Sequence, residues 1–447
     1  MASTNAKNST QPFSSKQQDT HGISDSTFHE ENNQMVIAIA ERTKVREEQY
    51  SEGGFFRANP GHLINDYELL KYLSRGGYGT VWLAKRTQTD IYSAMKISKS
   101  SIGYEEYSKR EIEILKKIQT PTSHPNIVKL LDSFYMEGDN VKHMVMVFEV
   151  LGPTLESVIF SSGQKIHLEV VKSITRQLLE AINYIHNLNL VHMDIKPANV
   201  MLAINENDIK HLASNQDLTC NRYSIDVTNP NAIIVAKLAD FGLAFYTDEK
   251  LPSHPTSSCF FRAPEQFLTT KYDTALDMWS FGCLIHEMIA ASNLFACKKY
   301  RSVPNHNSCH FMLMDHLFGP IKRADFQDGL RREFSQQFDR DGHMVVPYLN
   351  EFLPNFYKTA VHNGMKEEEA EEYSNFLHLF FKYNRAERIT AGEALQHAFL
   401  LPNRVKRLDK NGQEETAAVP VLDLKNPETN NEEEFDRVFQ FHNADKN

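Results

Sequence analysis

The chain has 447 residues, of which 41% are hydrophobic and 24% charged, and its formal net charge is −10 at pH 7. This composition is typical of a soluble globular protein with room for about two or three domains. The modest negative charge argues against a protein held on nucleic acid by a basic surface, so we expect no direct nucleic-acid partner. Because there is no run of about 18 apolar residues and no signal-peptide core, we expect no membrane span and an intracellular location.

The cysteines give little sign of a structural role. There are five, an odd number, and no two of them form a C-x-x-C pair. The pattern predicts neither a disulfide framework nor a zinc site, and it favours a reducing compartment. The five are Cys220, Cys259, Cys283, Cys297 and Cys309.

Both ends of the chain are polar. We expect residues 1–48 to be largely disordered, with a short docking helix around the apolar residues 35–40 as the alternative. The tail over residues 402–447 carries an acidic run at 432–434, and disorder with at most a short terminal helix is expected there too.

A twisted antiparallel sheet is predicted by three short alternating runs, at residues 67–73, 80–85 and 92–98. Between the first two lies a glycine-rich hairpin, S-R-G-G-Y-G-T-V at 74–81, which lets backbone N–H groups approach phosphates closely. Such a loop alone is more often only a tight turn. In the third run Ala94 and Lys96 lie two apart and so face the same side. The small side chain of Ala94 leaves room for an adenine ring, and the ammonium group of Lys96 reaches the phosphates.

A helix is predicted over residues 107–118, where apolar residues recur with helical period. We assign its Glu111 to an ion pair with Lys96. The alternative is that Glu111 is an ordinary surface acid, since Glu113 is close by.

Residues 144–149 are a continuous apolar run that fits a buried strand, and the connector that follows would join two lobes. There the backbone of Glu149 and Leu151 would hydrogen-bond the adenine edge. Phe148 would form the back wall of the pocket.

The central stretch is V-H-M-D-I-K-P-A-N-V-M-L at residues 191–202. It supplies the groups that phosphoryl transfer needs. Asp194 would orient the attacking hydroxyl, Lys196 would neutralise charge on the moving phosphoryl group, and the amide oxygen of Asn199 would bind magnesium. The apolar run at its end predicts a strand entering a core, and we assign its Leu202 to the nucleotide site.

A second magnesium ligand is predicted in K-L-A-D-F-G at 237–242, where a strand ends in Asp240. The polar residues 205–231 make the connection from Asn199 long for a hairpin. They predict a surface insertion, for which an inert loop is the simplest interpretation.

Several hydroxyl side chains in residues 240–265 could accept phosphate, namely Thr247, Ser253, Thr256, Ser257 and Ser258. Met193, beside Asp194, cannot bind such a phosphate because a thioether offers neither charge nor donor. We therefore expect that activity does not require phosphorylation of this segment.

Two structural expectations concern the second half of the chain. Residues 277–289 are apolar around nearly the whole helical circumference and predict a buried helix. Its Asp277 then needs donors, which the backbone near His192 could supply. We also expect Arg388 to pair with Glu265.

In this order, the motifs resemble those of the eukaryotic protein kinases over roughly residues 65–400. The resemblance implies an α+β, bilobal protein-kinase fold. A small antiparallel β-sheet lobe with one main helix would span residues 49–150, and a larger, mainly helical lobe would span 151–401. ATP and Mg²⁺ would bind between them, with the loop residues around the nucleotide being Ser74, Gly76, Gly79 and Val81.

Within that superfamily the chain is most similar to the serine/arginine-protein kinases of the CMGC group. The similarity lies in T-V-W-L-A at 80–84, M-V-F-E-V-L-G at 146–152, the insertion and the missing arginine before Asp194. It implies a serine/threonine kinase that acts on proteins, with serine/arginine-rich splicing factors as candidate substrates. We expect a monomer. In that family a longer insertion helps to hold the kinase in the cytoplasm, so cytoplasm, nucleus or both are expected here.

Two departures from the family are clear. D-F-G-L at 240–243 replaces D-L-G-N, which should leave metal binding intact. Residues 296–306, A-C-K-K-Y-R-S-V-P-N-H, are basic where the family docks arginine-rich substrates on acids, so an arginine repeat would meet like charge. Ser74 and Met193 keep open a competing hypothesis, a scaffold of kinase fold with little or no turnover.

Overall fold

The computed structural model describes most of the chain between residues 50 and 417. The described residues are 50, 53–137, 141–161, 165–214, 223–249, 257–297, 306–326, 329–347, 349, 354–401, 405–408 and 414–417. The predictions for residues 1–48 and for the basic residues 298–301 lie outside this set. Within these ranges no helix combines the length and the apolar character that crossing a bilayer requires.

The small lobe is built on a six-stranded sheet in which all neighbouring strands are antiparallel. Its order is β1-β2-β3-β4-β6-β5. The strands are β1 (Leu63–Ile64), β2 (Tyr67–Arg75), β3 (Gly79–Arg86), β4 (Tyr92–Ser98), β5 (Leu130–Glu137) and β6 (Lys142–Phe148). The three alternating runs are thus confirmed as β2, β3 and β4, and the predicted buried strand as β6.

One long helix, α1 (Ile102–Ile118), packs on this sheet and begins earlier than the sequence pattern predicts. Its Ile112 shares a core with Met146 of β6, whereas Val145 and Val147 belong to a second cluster on the opposite face. Both faces of β6 are therefore buried. This explains why the strand is apolar throughout instead of alternating.

The large lobe is mainly helical. Its helices are α2 (Leu155–Ser161), α3 (Leu168–Asn187), α4 (Glu206–Ser214), α5 (Pro264–Leu268), α6 (Ala275–Ala290), α7 (His306–Phe318), α8 (Phe356–His362), α9 (Glu367–His378) and α10 (Ala391–Ala394). Two small antiparallel pairs, β7 (Leu190–Val191) with β10 (Phe245–Tyr246) and β8 (Val200–Leu202) with β9 (Ala236–Leu238), carry the loops of the site.

Helix α6 is the centre of this lobe, as predicted. Every residue from 276 to 289 is buried. A Cβ added at Gly282 would lie 2.7 Å from the Cβ of Phe380, so glycine lets the neighbouring chain approach the helix closely. The helix is enclosed on all sides and can support the loop at residues 191–199 that carries Asp194.

The insertion at 205–231 is not a loop throughout, contrary to its simplest interpretation. Helix α4 forms within it, and its Leu212 is buried against the small lobe. Asp208 of the same helix is buried and accepts a hydrogen bond from the Ser224 hydroxyl at 2.8 Å. The polar composition of residues 205–231 predicts their surface position, but it does not reveal that α4 has one apolar face.

The tail also differs from expectation. Strands β11 (Val405–Leu408) and β12 (Glu414–Ala417) pair as an antiparallel hairpin. These eight residues are paired where disorder was expected, and the rest of the tail lies outside the described residues. In the sequence between them Asn411 precedes Gly412, a dipeptide that favours hairpins.

Candidate active site

One face of β4 presents the residues predicted to meet a nucleotide. Ala94 and Lys96 are partly exposed while the residues between and after them are buried, so the pair shares one face, as predicted. Val81 of β3 pairs with Lys96, and Phe148 of β6 pairs with Ala94. These four residues lie together in the middle of the sheet.

The glycine-rich hairpin joins β2 to β3. Its turn is closed by a hydrogen bond from the Gly76 N–H to the Gly79 carbonyl oxygen at 2.9 Å. A Cβ at Gly79 would lie 2.4 Å from the carbonyl oxygen of Ile97, so the approach of β4 already requires glycine there. Ser74 lies outside the turn, in β2 opposite Val81. Serine in place of the family's glycine is therefore compatible with the strand.

Tyr78, at the tip of the same hairpin, was given no role by the sequence motifs. Its ring centroid lies 5.8 Å from that of Tyr104 and 5.5 Å from that of Tyr107, both on α1. Burial, with the nearby charge of Asp240, raises the pKa of Tyr78 to about 12. A neutral aromatic contact thus fastens the loop to the helix that carries Glu111.

A three-residue charged cluster lies beneath the loop. The Lys96 Nζ is 2.7 Å from the Glu111 carboxylate, which confirms the predicted ion pair, and 3.5 Å from the Asp240 carboxylate. Burial lowers the pKa of Lys96, but Glu111 and Asp240 together raise it above its ordinary value. Burial likewise opposes ionisation of Asp240, yet Lys96, then His192 and Lys196, hold its pKa below the usual range. The cluster therefore keeps charged both the Lys96 ammonium group and the Asp240 carboxylate, the predicted magnesium ligand.

In the predicted catalytic loop, residues 191–199, polar groups converge on the Asp194 carboxylate. Its Oδ2 accepts hydrogen bonds from Lys196 Nζ at 2.6 Å and from Asn199 Nδ2 at 3.0 Å, and its Oδ1 accepts one from the Ser258 N–H at 3.2 Å. Because the Asn199 nitrogen is used in this way, its carboxamide oxygen is the atom left to serve as a metal ligand. The three predicted residues of this loop are brought together.

Support for the loop comes from α6. The Asp277 carboxylate accepts hydrogen bonds from the His192 N–H at 2.7 Å and from the Met193 N–H at 2.9 Å, as predicted. Met193 has a φ of +74°, a left-handed conformation that a bound backbone can hold. The His192 ring contacts the Ala239 carbonyl oxygen at 3.1 Å, which links the loop to the strand that delivers Asp240.

The connector between the lobes, residues 149–152, has backbone groups that an adenine could meet. The Glu149 N–H donates to the Lys129 carbonyl at 3.2 Å, so Glu149 would meet an adenine through its carbonyl oxygen. The Glu149 side chain pairs with Lys237 at 2.9 Å. Leu151 is buried beside it.

Comparison with known proteins identifies the family. A family model described as "Protein kinase domain" matches residues 67–400. The chain belongs to the protein kinase family. The kinase is 30% identical over 392 residues to the serine/threonine-protein kinase SRPK of Physarum polycephalum. This alignment covers 79% of this chain and 90% of that protein. It is 26% identical over 368 residues to the mouse dual specificity protein kinase CLK4, covering 80% and 71% of the two chains.

A longer relative and a solved structure extend this comparison. The spk-1 kinase of Caenorhabditis briggsae is 39% identical over 171 residues, but the match spans only 15% of its length. The crystal structure of a kinase domain matches with a TM-score of 0.58 and 26% identity, covering 77% of this chain and 98% of that one. The protein-kinase fold and the likeness to serine/arginine-protein kinases, both predicted from sequence, are confirmed, and the likeness to CLK kinases is an additional finding.

One assigned residue needs correction. In β8, Val200 and Leu202 are fully buried while Met201 between them is partly exposed. A side chain with no exposed surface cannot contact a nucleotide directly. Met201 therefore replaces Leu202 as the residue of this strand that can face the site.

The described residues 257–263, just before α5, are positioned mainly by contacts with Gln266 and Lys196. Gln266 donates from Nε2 to the Ser257 hydroxyl at 2.9 Å and to the Met193 sulfur at 3.9 Å, and its Oε1 accepts from the Ala263 N–H at 2.8 Å. The Ser258 hydroxyl accepts from Lys196 Nζ at 3.0 Å. Ser257 and Ser258, two of the proposed phosphate acceptors, are thus engaged in positioning. Thr247 is described, whereas residues 253 and 256 are not.

The expected pair of Arg388 and Glu265 is also present. Two guanidinium nitrogens of Arg388 lie 2.7 and 3.0 Å from the two Glu265 oxygens, and both side chains are fully buried. Arg388 also donates to the Ala275 carbonyl oxygen at 2.8 Å. This bidentate pair fixes α5, and with it Gln266, against the core.

Proposed function

We propose that the kinase is an active, ATP- and Mg²⁺-dependent serine/threonine kinase. The observation that supports this best is the intact cluster of Lys96, Glu111 and Asp240, together with an Asp194 carboxylate that three hydrogen bonds hold in place. A scaffold that has lost turnover has no need for a paired lysine at this place or for an ionised Asp240. The competing scaffold hypothesis is accordingly the weaker one.

The residues each have a chemical task. Lys96, held by Glu111, would bind the α- and β-phosphates, and Asp194 would accept the hydrogen bond of the substrate hydroxyl and so orient it for attack. Lys196 would neutralise charge on the γ-phosphoryl group as it moves. Asp240 and the Asn199 oxygen are suited to hold Mg²⁺, which when bound would neutralise phosphate charge.

The adenine would lie between the two lobes. Ala94, Val81 and Met201 offer it apolar surface, and the backbone of Glu149 and Leu151 offers hydrogen bonds. Gly76 and Gly79 in the hairpin would cover the phosphates.

The test is radiolabelled phosphate transfer to a mixed protein substrate by wild type and Asp194→Ala. Loss of the orienting carboxylate is expected to lower the rate by about 10²–10⁴-fold. Asp132→Ala is the matched control, because Asp132 is an exposed aspartate on edge strand β5 and should leave the rate unchanged. If wild type and Asp194→Ala label equally, the activity belongs to a contaminant and the proposal is wrong.

Two observations bear on the substrate class, and they point in opposite directions. Likeness to the SRPK kinases favours arginine/serine-rich proteins such as splicing factors, whereas the basic sequence at 298–301 would repel arginine repeats. A positional peptide library decides between them. Arginine near the acceptor serine should raise the rate if these proteins are substrates, and lower it if the basic stretch dominates.

We propose further that the kinase acts as a monomer in the cytoplasm, the nucleus or both. The short insertion supports access to the nucleus. Light scattering of the purified protein and imaging of a fluorescently tagged full chain test the two statements.

A further inference from the structure

Four metal-ligating side chains meet beside the catalytic loop, outside the phosphoryl-transfer site. Cys259 follows Ser258, Cys297 lies in the loop after α6, and His306 and His310 lie on α7. Their ligand atoms all lie within 4.8 Å of one another. The cysteine spacing alone predicts no such site, because the two thiols lie 38 positions apart in the chain.

The distances fit a tetrahedral ion. With zinc–sulfur bonds of about 2.3 Å and zinc–nitrogen bonds of about 2.05 Å, the expected edges are about 3.8 Å for S–S, about 3.6 Å for S–N and about 3.3 Å for N–N. The Cys259 and Cys297 sulfurs are 3.8 Å apart, the Cys297 sulfur is 3.9 Å from His306 Nε2, and the two histidine Nε2 atoms are 3.2 Å apart. These three distances lie within about 0.3 Å of the tetrahedral edges, and the other three pairs of ligand atoms lie within 4.8 Å of each other.

Neither a disulfide nor hydrogen bonding accounts for the cluster as fully as a metal ion does. A disulfide needs sulfurs about 2.05 Å apart, far closer than the observed pair. Hydrogen bonding alone would leave these contacts of 3.8 and 3.9 Å weak, because a thiol is only a weak donor and a weak acceptor. The spacing H-x-x-x-H puts His306 and His310 one turn apart on the same face of α7, as a pair of ligands requires.

We propose that Cys259, Cys297, His306 and His310 bind one Zn²⁺ ion in a Cys₂His₂ site. Two thiols lose their protons to solvent on binding and ligate as thiolates, and the two imidazoles ligate in the neutral form. Thiolate and imidazole ligands in a tetrahedral arrangement select zinc over magnesium or calcium. Four protein ligands fill the coordination sphere, so the site is structural and not catalytic.

The position of the site gives it a task. Cys259 is adjacent to Ser258, whose N–H and hydroxyl contact Asp194 and Lys196. An ion held by Cys259 on one side and by α7 on the other would therefore fix the segment that positions Ser258. This last step rests on the proposed kinase activity, but metal binding itself does not.

The test begins with metal analysis of the full chain purified without affinity metals. Wild type is expected to carry about one zinc per chain, and the Cys259→Ser/Cys297→Ser variant to carry almost none. Cys283→Ala is the control, because Cys283 is buried in α6 outside the cluster and its loss should leave the zinc content unchanged. Since the double variant could fail to fold, wild type is also exchanged with Co²⁺. Intense d–d bands and a thiolate charge-transfer band are then expected.

Stability provides a second readout that does not depend on activity. Removing bound zinc with a chelator should lower the melting temperature of wild type and of Cys283→Ala but not that of the double variant. The proposal is overturned if wild type contains no zinc and gives no tetrahedral cobalt spectrum. It is equally overturned if the double variant keeps its zinc, or if non-reducing mass spectrometry shows a Cys259–Cys297 disulfide in the freshly purified protein.

Discussion

Helix α4 in the insertion provides the sharpest stability prediction, because no sequence motif assigns it a function. Its Leu212 is 4% exposed and packs in a cluster with Leu83 of β3 and with Val150 in the connector between the lobes. Replacing this side chain by Leu212→Ala removes the apolar contact that joins the insertion to the small lobe and the connector. We expect lower stability and weaker nucleotide binding.

The magnitude follows from the burial. Buried Leu→Ala substitutions cost about 2–5 kcal/mol, and because α4 lies at the surface and can partly collapse onto the gap, we expect about 2–3 kcal/mol here. For a domain of this size about 1 kcal/mol corresponds to about 1.5 °C, so the melting temperature should fall by about 3–5 °C. The KM for ATP should rise several-fold while kcat changes little, because the buried apolar residues of the predicted catalytic loop belong to a different cluster from Leu212.

Thermal unfolding and initial-rate kinetics on purified protein test both statements. The control is His211→Ala, which removes the exposed neighbour of Leu212 on the same helix and should leave both values unchanged. A melting temperature for Leu212→Ala within about 1 °C of wild type, the shift that corresponds to less than about 1 kcal/mol, would show that α4 does not stabilise the connector.

Three further predictions concern residues elsewhere in the large lobe. Arg388→Met leaves Glu265 buried without its partner and should cost about 3–5 kcal/mol, most of which Glu265→Leu in the same chain should restore; denaturant unfolding that shows no recovery would contradict this. Burial raises the pKa of Glu287 to about 8 from its ordinary 4.5, so stability is lost as pH rises between these values. Glu287→Gln should therefore melt higher than wild type by a margin that grows up to about pH 8, and a constant margin would refute the assignment. Finally, protein made in bacteria and treated with phosphatase should be as active as untreated protein, and a requirement for an upstream kinase would disprove independence from phosphorylation.

The central residues of the site could be predicted well from the sequence because each of them belongs to a short motif. Lys96, Asp194, Asn199 and Asp240 each sit at a fixed distance from a strand end or turn, so local spacing is enough to place them. Glu111 was less certain, since a second acid lies nearby on the same helix, and only the packing of α1 on the sheet decides between the two.

Where the prediction failed, the missing information was tertiary. The run V-M-L at 200–202 is apolar on both faces, so no alternation in the sequence reveals which residue faces the site, and Leu202 was chosen instead of Met201. The burial of Leu212 likewise depends on a small-lobe surface that is distant in sequence. Gln266 and Cys259 gain their partners only through the folding of the segment before α5.

The uncharged Met193 side chain suits the buried contacts around Ser257 and Gln266. Met193, Ser257 and Gln266 are buried, at 1%, 4% and 0% exposure, and the Gln266 amide contacts both of the others. Arg262, a cation of the same segment, is already engaged because it donates to the Ser257 carbonyl oxygen at 2.6 Å. An arginine at position 193 would bury one more charge without a carboxylate partner among these contacts. A phosphate on Ser257 would have to displace the Gln266 amide from a closely packed site, and each change alone would be costly.

With the Met193 thioether and the Gln266 amide in place, no unpaired arginine charge is buried and no phosphate has to be accommodated. Residues 257–263 are therefore positioned without modification, with Lys196 bound to Ser258 and with the Arg388–Glu265 pair holding α5 in place. Because these contacts already position the groups around Asp194, we expect Asp194 to be oriented for its proposed role without modification of these residues.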